Sequence, residues 1–255
     1  MFLTPKTLRN GKIDRIKGRI VAGGHMQDKF LHEDEEMSSP TVALTSVLTM
    51  AALAAKKERH VMTLDHNAVY LNAAMEGSSV EILISPEVVE ILCDIDVAYR
   101  KFIRADNKIA VWLMKALYGC IQSAILWYNE LTATLEDIGF HRNRYDNCSF
   151  SRAQLGSIDR ILVYVEDLFI TSESKESLQA IADTLKRKYE AVTYNTGLEH
   201  DFLGIHWDFI IPGQASLSMD GYINDIISKY NVMKRCSTPA TDKLFRTTQD
   251  SPIIT

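Results

Sequence analysis

The chain has 255 residues, 46% hydrophobic and 24% charged, with a formal net charge of −5. This composition is typical of globular proteins and excludes disordered chains, while 12 glycines and 6 prolines exclude collagen-like chains. The longest apolar stretch, residues 42–55, is too short to span a bilayer, so we expect a soluble protein with one large domain or two small ones.

The N-terminal segment is basic. Residues 1–30 contain seven Lys or Arg and two Asp, which gives a local charge of +5, and an acidic run follows at 33–36. Phosphate binding depends on Lys and Arg, so the segment is a candidate nucleic-acid contact. A solvated basic edge beside an acidic loop is the alternative.

No secretory signal follows this start, because Lys6 and Arg9 precede neither an apolar block nor a small-residue cleavage site. We therefore expect an intracellular protein, cytoplasmic or nuclear, with no membrane partner. The four cysteines lie far apart without zinc-ligand spacing, which favours reduced and mostly buried thiols. They are Cys93, Cys120, Cys148 and Cys236.

Helices and short strands alternate along the chain. The predicted helices are 42–55, 126–135, 174–188 and 222–230. The predicted strands are 61–64, 80–84, 108–113, 161–165, 168–171, 202–209 and 215–219. The first helix is capped by Ser38 or Ser39 with Pro40 in its first turn, and its apolar circumference predicts burial. The pattern predicts an α+β fold in which hairpins alternate with helices.

Two acidic residues fall at a hairpin position. The strands 161–165 and 168–171 are separated only by Glu166 and Asp167, and alternation places Tyr164 with Glu166 on one face and Asp167 on the other. Two carboxylates therefore project from a tight turn between buried strands. Ordinary turn chemistry with a solvated glutamate is the alternative.

A third carboxylate, Asp65, ends the apolar strand 61–64. Brought together with Glu166 and Asp167, it would suffer charge repulsion at neutral pH unless divalent cations lay between the three groups. Ligand sets made only of oxygen select Mg²⁺ or Mn²⁺. Such a set is what two-metal phosphoryl transfer requires.

Further motifs occur in order between residues 17 and 239. They are KGRIVAGGHMQ (17–27), SSPTV (38–42), TLDHNAVYLNA (63–73), KALYGCIQSAILWY (115–128), GFHRNRYDNCSF (139–150), LVYVEDLFIT (162–171), DFLGIH (201–206), LSMDGYI (217–223) and STPA (237–240). Together they resemble the reverse transcriptase domain of copia-type retrotransposon Pol polyproteins. The resemblance implies an RNA-directed DNA polymerase with a right-hand architecture of palm and fingers, an antiparallel sheet backed by helices, and a partial thumb.

The resemblance also implies a domain organisation and partners. Residues 1–255 would form a single reverse transcriptase domain, with fingers and palm at about 10–212 and a partial thumb or connection at about 213–245. No protease, integrase or ribonuclease H region accompanies it, so we expect a fragment. The implied cofactor is Mg²⁺ or Mn²⁺. The implied partners are an RNA or DNA primer–template, deoxynucleoside triphosphates and, if expressed, other regions of the Pol polyprotein.

Position by position, the resemblance assigns catalytic and metal-binding roles to Asp65, Glu166 and Asp167. Tyr70 matches the aromatic residue that crowds the sugar 2′ position and favours deoxynucleotides; a packed core aromatic is its alternative. Residues 202–205 resemble the primer-contacting hairpin, although their apolar side chains also suit any core.

The resemblance assigns nucleotide contacts as well. Arg19, with Lys17 nearby, matches a fingers arginine that meets the incoming triphosphate, since a guanidinium fork suits phosphate oxygens. Tyr118, Gly119 and Gln122 match the nucleotide-pocket loop, where glycine lets the backbone approach a ligand. A turn before a helix is the alternative for this loop.

The chain departs from the family pattern where the chemistry is least tolerant. Glu166 stands in place of an aspartate and moves the carboxylate by about 1 Å, a misplacement that can cost on the order of 100-fold in rate. The other departures are His66, Asn67, Gly23, Ile121, Ala124 and Ile125. We therefore expect impaired activity in this copy.

Two other functions stay open. A catalytically dead retrotransposon remnant would bind primer–template in a salt-dependent manner without metal-dependent synthesis. A two-metal nuclease or unrelated hydrolase would cleave a labelled strand without extending it, although Tyr70 at its sugar-gate spacing from Asp65 favours a polymerase.

Overall fold

The structure, a computed structural model, describes residues 2–7, 13–28, 38–75, 80–154, 156–189 and 191–231. Contacts divide the chain into two compact units, Met1–Leu217 and Ser218–Thr255. In chain order the strands and helices are β1 (Phe2–Thr7), β2 (Ile13–Arg19), α1 (Leu44–Lys56), β3 (His60–His66), β4 (Glu81–Ile84), α2 (Pro86–Ile95), β5 (Ile109–Trp112), α3 (Ser123–Asp137), β6 (His141–Arg142), β7 (Ser149–Gln154), β8 (Ser157–Tyr164), β9 (Asp167–Ser172), α4 (Lys175–Tyr189), β10 (Val192–Asn195), β11 (Glu199–Phe202), β12 (Ile205–Asp208), β13 (Ser216–Ser218) and α5 (Asp220–Lys229).

A six-stranded antiparallel sheet forms the centre of the first unit, in the order β10–β3–β9–β8–β7–β6. Apolar side chains of α1, α3 and α4 share one core with this sheet. Alternation within β3 places the buried Met62, Leu64 and His66 on the face towards these helices, while Thr63 and Asp65 on the other face are half-buried and Val61 there is buried. The fold is thus mixed α and β with antiparallel sheets, as the sequence pattern predicts.

The hairpin β11–β12 packs on the opposite face of the sheet. The Phe169 ring lies 5.4 Å from Phe202 and 5.9 Å from Trp207, centroid to centroid. Thr63 Oγ1 and His200 Nδ1 are 3.1 Å apart, which adds a polar contact between β3 and the hairpin. Because side chains alternate, Asp65 and Asp167 lie on this same face, one step further along their strands.

Two smaller pieces flank the central sheet. β1 and β2 form an antiparallel two-stranded hairpin. β4 and β5 form another antiparallel pair. This second pair and α2 share a small core of Val89, Cys93 and Ile109.

Helix α1 begins later than predicted. Its first residue is Leu44, and Ala43 precedes it without a side-chain cap, so Pro40 lies outside the helix. The Ala43 backbone N–H instead donates to Asp146 Oδ2 at 3.1 Å, a tertiary contact that a local capping pattern does not reveal. The helix is also not buried all round, since Leu44 is 55% exposed.

The predicted strand 202–209 is not continuous, because β11 ends at Phe202 and β12 begins at Ile205, and the two strands form a hairpin. Its turn residues, Leu203 and Gly204, have φ of 57° and 70°, as in a type I′ turn. β1, β2, β6, β7, β10 and α2 were not predicted. Short strands that bury few side chains lack the apolar run that marks β8 and β9.

The prediction of mostly buried cysteines holds for the described ones, as Cys93, Cys120 and Cys148 are free and buried. Cys236, the acidic run 33–36 and the motif at 237–240 lie outside the described residues. Among the helices that the structure describes, none combines the length and apolarity needed to cross a membrane.

Candidate active site

Asp65 and Asp167 lie directly opposite each other on the neighbouring strands β3 and β9. Opposite residues of an antiparallel pair share a face, with Cβ atoms about 4.5–5.5 Å apart. The row continues across the sheet, since Asp167 is also opposite Tyr164 on β8 and Asp65 is opposite Thr193 on β10. The sheet therefore brings together the strand-end acid and one acid of the predicted turn.

The acidic turn lies one residue earlier than predicted. Tyr164 and Asp167 are the pair that closes the hairpin, and Val165 with Glu166 forms the turn between them. Tyr164 therefore shares a face with Asp167, whereas simple alternation placed them on opposite faces. A two-residue turn interrupts strand periodicity, so alternation cannot be counted through it.

The turn has an unusual backbone conformation and is held by two hydrogen bonds. Val165 has a φ of 52°, which is uncommon for a β-branched residue and marks a locally strained conformation. Trp127 on α3 donates its indole Nε1–H to the Val165 carbonyl at 2.8 Å. The His66 backbone N–H donates to the Glu166 carbonyl at 3.1 Å. These bonds tie the acidic turn to the helix layer beneath it and to β3 beside it.

The acids repel one another in the absence of a counter-charge. Burial, followed by the charges of Asp65 and Glu166, raises the pKa of Asp167 to about 6. A half-buried acid whose neighbours are also acids is a typical cation-binding environment. The donor set fits Mg²⁺ or Mn²⁺, which prefer carboxylate oxygens.

The three predicted ligands are not arranged as one cluster. Within the described ranges, no three His, Cys, Asp or Glu side chains are placed to hold a metal ion together. The structure thus brings Asp65 and Asp167 together as a directly paired couple, while Glu166 interacts with them from the turn.

Two tyrosines lie beside the acids. The Tyr70 and Tyr118 rings pack edge to face with centroids 4.5 Å apart. Burial, followed by the charge of Glu166, raises the pKa of both hydroxyls. The Arg19 guanidinium lies over the Tyr118 ring at 5.9 Å, so a chain of contacts leads from β2 towards the acids.

Gly119 allows the loop that carries Tyr118 to dock against the segment after β2. It has a φ of 91°, and a Cβ there would collide with the Ala22 carbonyl. The Ala22 N–H donates to the Tyr118 carbonyl at 2.7 Å. A cavity of about 950 Å³ opens beside this contact, and Arg19, Asn67 and Tyr118 are among its lining residues.

The other predicted contacts are placed differently. Gln122 is buried, with its amide bonded to the side chains of Gln27 at 3.2 Å and Met75 at 3.4 Å, so it supports the loop from inside. Lys17 is paired with Thr4 in the β1–β2 hairpin, and its side chain lies outside the described part of the structure. The motifs in the sequence do not indicate that Trp127 anchors the acidic turn, although a buried indole N–H needs an acceptor.

Comparisons with known proteins bear on this site. The family model "Reverse transcriptase (RNA-dependent DNA polymerase)" matches residues 4–242. The Retrovirus-related Pol polyprotein from transposon RE1 of Arabidopsis thaliana is 30% identical over 242 residues, which cover 93% of this chain and 15% of that protein. The Transposon Ty1-BL Gag-Pol polyprotein of Saccharomyces cerevisiae is 27% identical over 222 residues, covering 85% of this chain and 11% of that protein.

Solved structures with some similarity include apo telomerase from Candida tropicalis, truncated from its C-terminal domain. It has a TM-score of 0.39 and 11% identity, covering 69% of this chain and 40% of that one. Telomerase from Candida albicans in complex with a fragment of telomeric RNA has a TM-score of 0.38 and 9% identity, covering 71% and 34%.

The family model spans nearly the whole chain, which defines the class: a polymerase domain. The chain belongs to the reverse transcriptase family, and its relatives place it with the reverse transcriptase domains of copia-type retrotransposon Pol polyproteins. It spans less than a sixth of the length of these two relatives.

Proposed function

We propose that this chain acts as an RNA-directed DNA polymerase domain that performs metal-dependent nucleotidyl transfer, and that this copy is impaired. The observation that carries the proposal is the direct pairing of Asp65 with Asp167 beside the Glu166 turn. The raised pKa of Asp167 supports it, because burial and the neighbouring charges of Asp65 and Glu166 favour a bound cation at this position. Primer–template and deoxynucleoside triphosphates are the proposed substrates.

The architecture of a right hand is part of the proposal. The six-stranded sheet with α1, α3 and α4 would be the palm, and the β1–β2 hairpin with the β4–β5 pair and α2 would be the fingers. A partial thumb would begin at about residue 213, close to the boundary between the two units at Leu217.

Asp65 and Asp167 would hold a divalent cation, and Glu166 would complete the ligand set. Cation binding there supplies charge stabilisation of the phosphoryl group and activation of the attacking hydroxyl. Arg19 and Lys17 would bind the triphosphate, since both side chains suit phosphate oxygens. The paired rings of Tyr70 and Tyr118 would orient the sugar.

Glu166 explains the proposed impairment. Its carbonyl is held by His66, so the extra methylene cannot be absorbed by a backbone shift without breaking that bond. The carboxylate is therefore displaced relative to the shorter aspartate, by about 1 Å, and a misplacement of this size can cost on the order of 100-fold in rate.

Primer extension on an RNA template with Mg²⁺ or Mn²⁺ tests the proposal. We expect slow extension by the wild type, at least about tenfold faster extension by Glu166→Asp and none by Asp167→Asn. Asp94→Asn, on an exposed position of α2, is the matched control and leaves the rate unchanged. Extension by Asp167→Asn would contradict the assigned site, and a wild-type rate equal to that of Glu166→Asp would contradict the impairment.

A nucleic-acid-binding remnant without synthesis is the second candidate. One observation favours it, namely that no three side chains of the described residues are arranged to hold a metal ion. In this case all variants, Glu166→Asp included, bind primer–template in a salt-dependent manner and extend nothing.

A further inference from the structure

Both carbonyl groups of the acidic turn are held by ring N–H groups from the protein interior. Trp127 Nε1 donates to the Val165 carbonyl at 2.8 Å, and His66 Nδ1 lies 3.1 Å from the Glu166 carbonyl. The latter oxygen also accepts the His66 backbone N–H at 3.1 Å. The strained turn is thus fixed at each of its two central peptide groups.

The hydrogen bond of His66 defines which nitrogen carries the proton. A carbonyl oxygen can only accept, so Nδ1 is the donor. Nε2 is buried and has no hydrogen-bond partner within the described residues. The imidazole therefore makes one polar side-chain contact there, and that contact is with the acidic turn.

Neighbouring rings fix the orientation of this imidazole. The ring centroids of Trp127 and Tyr189 each lie 5.4 Å from that of His66, and they lie 5.2 Å from each other, all edge to face. The Tyr189 hydroxyl is in turn 2.6 Å from Thr134 Oγ1 on α3. The cluster gives the His66 ring little freedom to rotate away from the turn.

His66 connects the two segments that carry the acids. It follows Asp65 directly in β3, and its partner Glu166 directly precedes Asp167. We propose that His66 is a positioning residue whose Nδ1–H, together with the Trp127 indole, fixes the acidic turn relative to Asp65 and so sets the geometry in which the carboxylates bind a divalent cation. The cation-binding part rests on the proposed function.

Two substitutions separate this role from simple packing. His66→Asn keeps an amide N–H near the position of Nδ1 but leaves a cavity between the rings. His66→Phe fills the space and keeps the ring contacts but removes the donor. If His66 serves only to fill space, His66→Phe should be more stable than His66→Asn and should also bind the cation more tightly, because lost volume is what destabilises a core. If His66 positions the turn, His66→Phe should be the more stable of the two variants, whereas His66→Asn should bind the cation more tightly.

Mn²⁺ binding to the full chain, without nucleotide or primer, is the first measurement, and chemical unfolding is the second. We expect His66→Phe to weaken Mn²⁺ binding by about tenfold, as loss of a supporting hydrogen bond commonly does. His66→Asn should stay within about threefold of the wild type although it unfolds more easily. Mn²⁺ affinities that follow stability, or an unchanged affinity in His66→Phe, would overturn the positioning role.

Amide hydrogen exchange of the segment 162–170 tests, without any metal, whether the His66 side chain fixes the acidic turn. Faster exchange in His66→Phe than in His66→Asn is the expected result, and equal exchange contradicts the positioning role of His66. A wild-type chain that binds no Mn²⁺ contradicts the proposed metal site instead. The exchange measurement then decides on its own whether His66 fixes the acidic turn.

Discussion

At the scale of single residues, Asp65 and Asp167 could be identified from the sequence because each adjoins an apolar strand. Their direct pairing depends on the strand order and on the register of β3 against β9, which the local strand patterns do not give. His66 and Trp127 are different: nothing in their local pattern shows that their ring nitrogens meet the carbonyls of the acidic turn. Such contacts join positions far apart in the chain, so periodicity carries no information about them.

The buried His200 gives a pH effect on stability. It is buried against Phe169, with its Nε2 3.0 Å from the Gly197 carbonyl and its Nδ1 3.1 Å from Thr63 Oγ1. Burial lowers the pKa of His200 below the ordinary value for histidine. The unfolded chain therefore binds a proton more readily than the folded chain.

The sign of the pH effect follows from this difference. The contribution of His200 to stability is fully present above the unfolded pKa of about 6.5 and is lost as pH falls through the lowered folded pKa, at about 1.4 kcal/mol per pKa unit. We expect the unfolding free energy of the wild type to drop more between pH 7 and pH 5 than that of His200→Gln, which cannot titrate.

Denaturant titrations at the two pH values measure this difference. The pKa of His206 is raised, chiefly by its hydrogen bond to Asp201, which produces the opposite trend. That trend is common to both proteins and cancels in the comparison. Equal losses in the wild type and His200→Gln would show that His200 is not protonated on unfolding in this range.

At the scale of elements, the strands β8 and β9 and the helices α3 and α4 follow from apolar runs and helical spacing. The hairpin β11–β12 does not follow from periodicity, because Leu203–Gly204 lacks the Asn-Gly or Asp-Gly signal of a type I′ turn, and only the resemblance of 202–205 to a primer-contacting hairpin points to it. Tertiary packing on Phe169 stabilises this hairpin in place of turn propensity.

Trp207 is the main anchor of that hairpin. Its ring is fully buried, and its Nε1–H donates to the Phe202 carbonyl at 3.2 Å. We expect Trp207→Ala to lower the unfolding free energy by about 3–5 kcal/mol, measured by chemical denaturation. Trp112→Ala makes the same change on β5 at a side chain that is 61% exposed, and should cost less than about 1 kcal/mol. Similar losses in both variants would mean that the hairpin contributes little to the core.

At the scale of the whole molecule, charge is unevenly divided. Since residues 1–30 carry +5 and the chain carries −5, residues 31–255 carry −10. A polyanion is therefore repelled by most of the chain and attracted by its N-terminal part. Arg19 of this part is linked to the acids through Tyr118, because its guanidinium lies over the Tyr118 ring, and burial together with the charges of Glu166 and Asp65 raises the pKa of the Tyr118 hydroxyl.

The salt dependence of binding tests this division. Each phosphate contact contributes about one unit to the slope of log affinity against log salt concentration, because a bound cation releases a counterion. We expect Arg19→Gln to weaken primer–template binding and to reduce that slope by about 1, as measured by fluorescence anisotropy at several salt concentrations. Arg104→Gln removes the same charge at an exposed position beside Asp106 and should leave the slope unchanged. Equal slopes for Arg19→Gln and the wild type would place the phosphate contact elsewhere. Equal reductions of the slope in Arg19→Gln and Arg104→Gln would mean that net charge governs binding, rather than the position of Arg19.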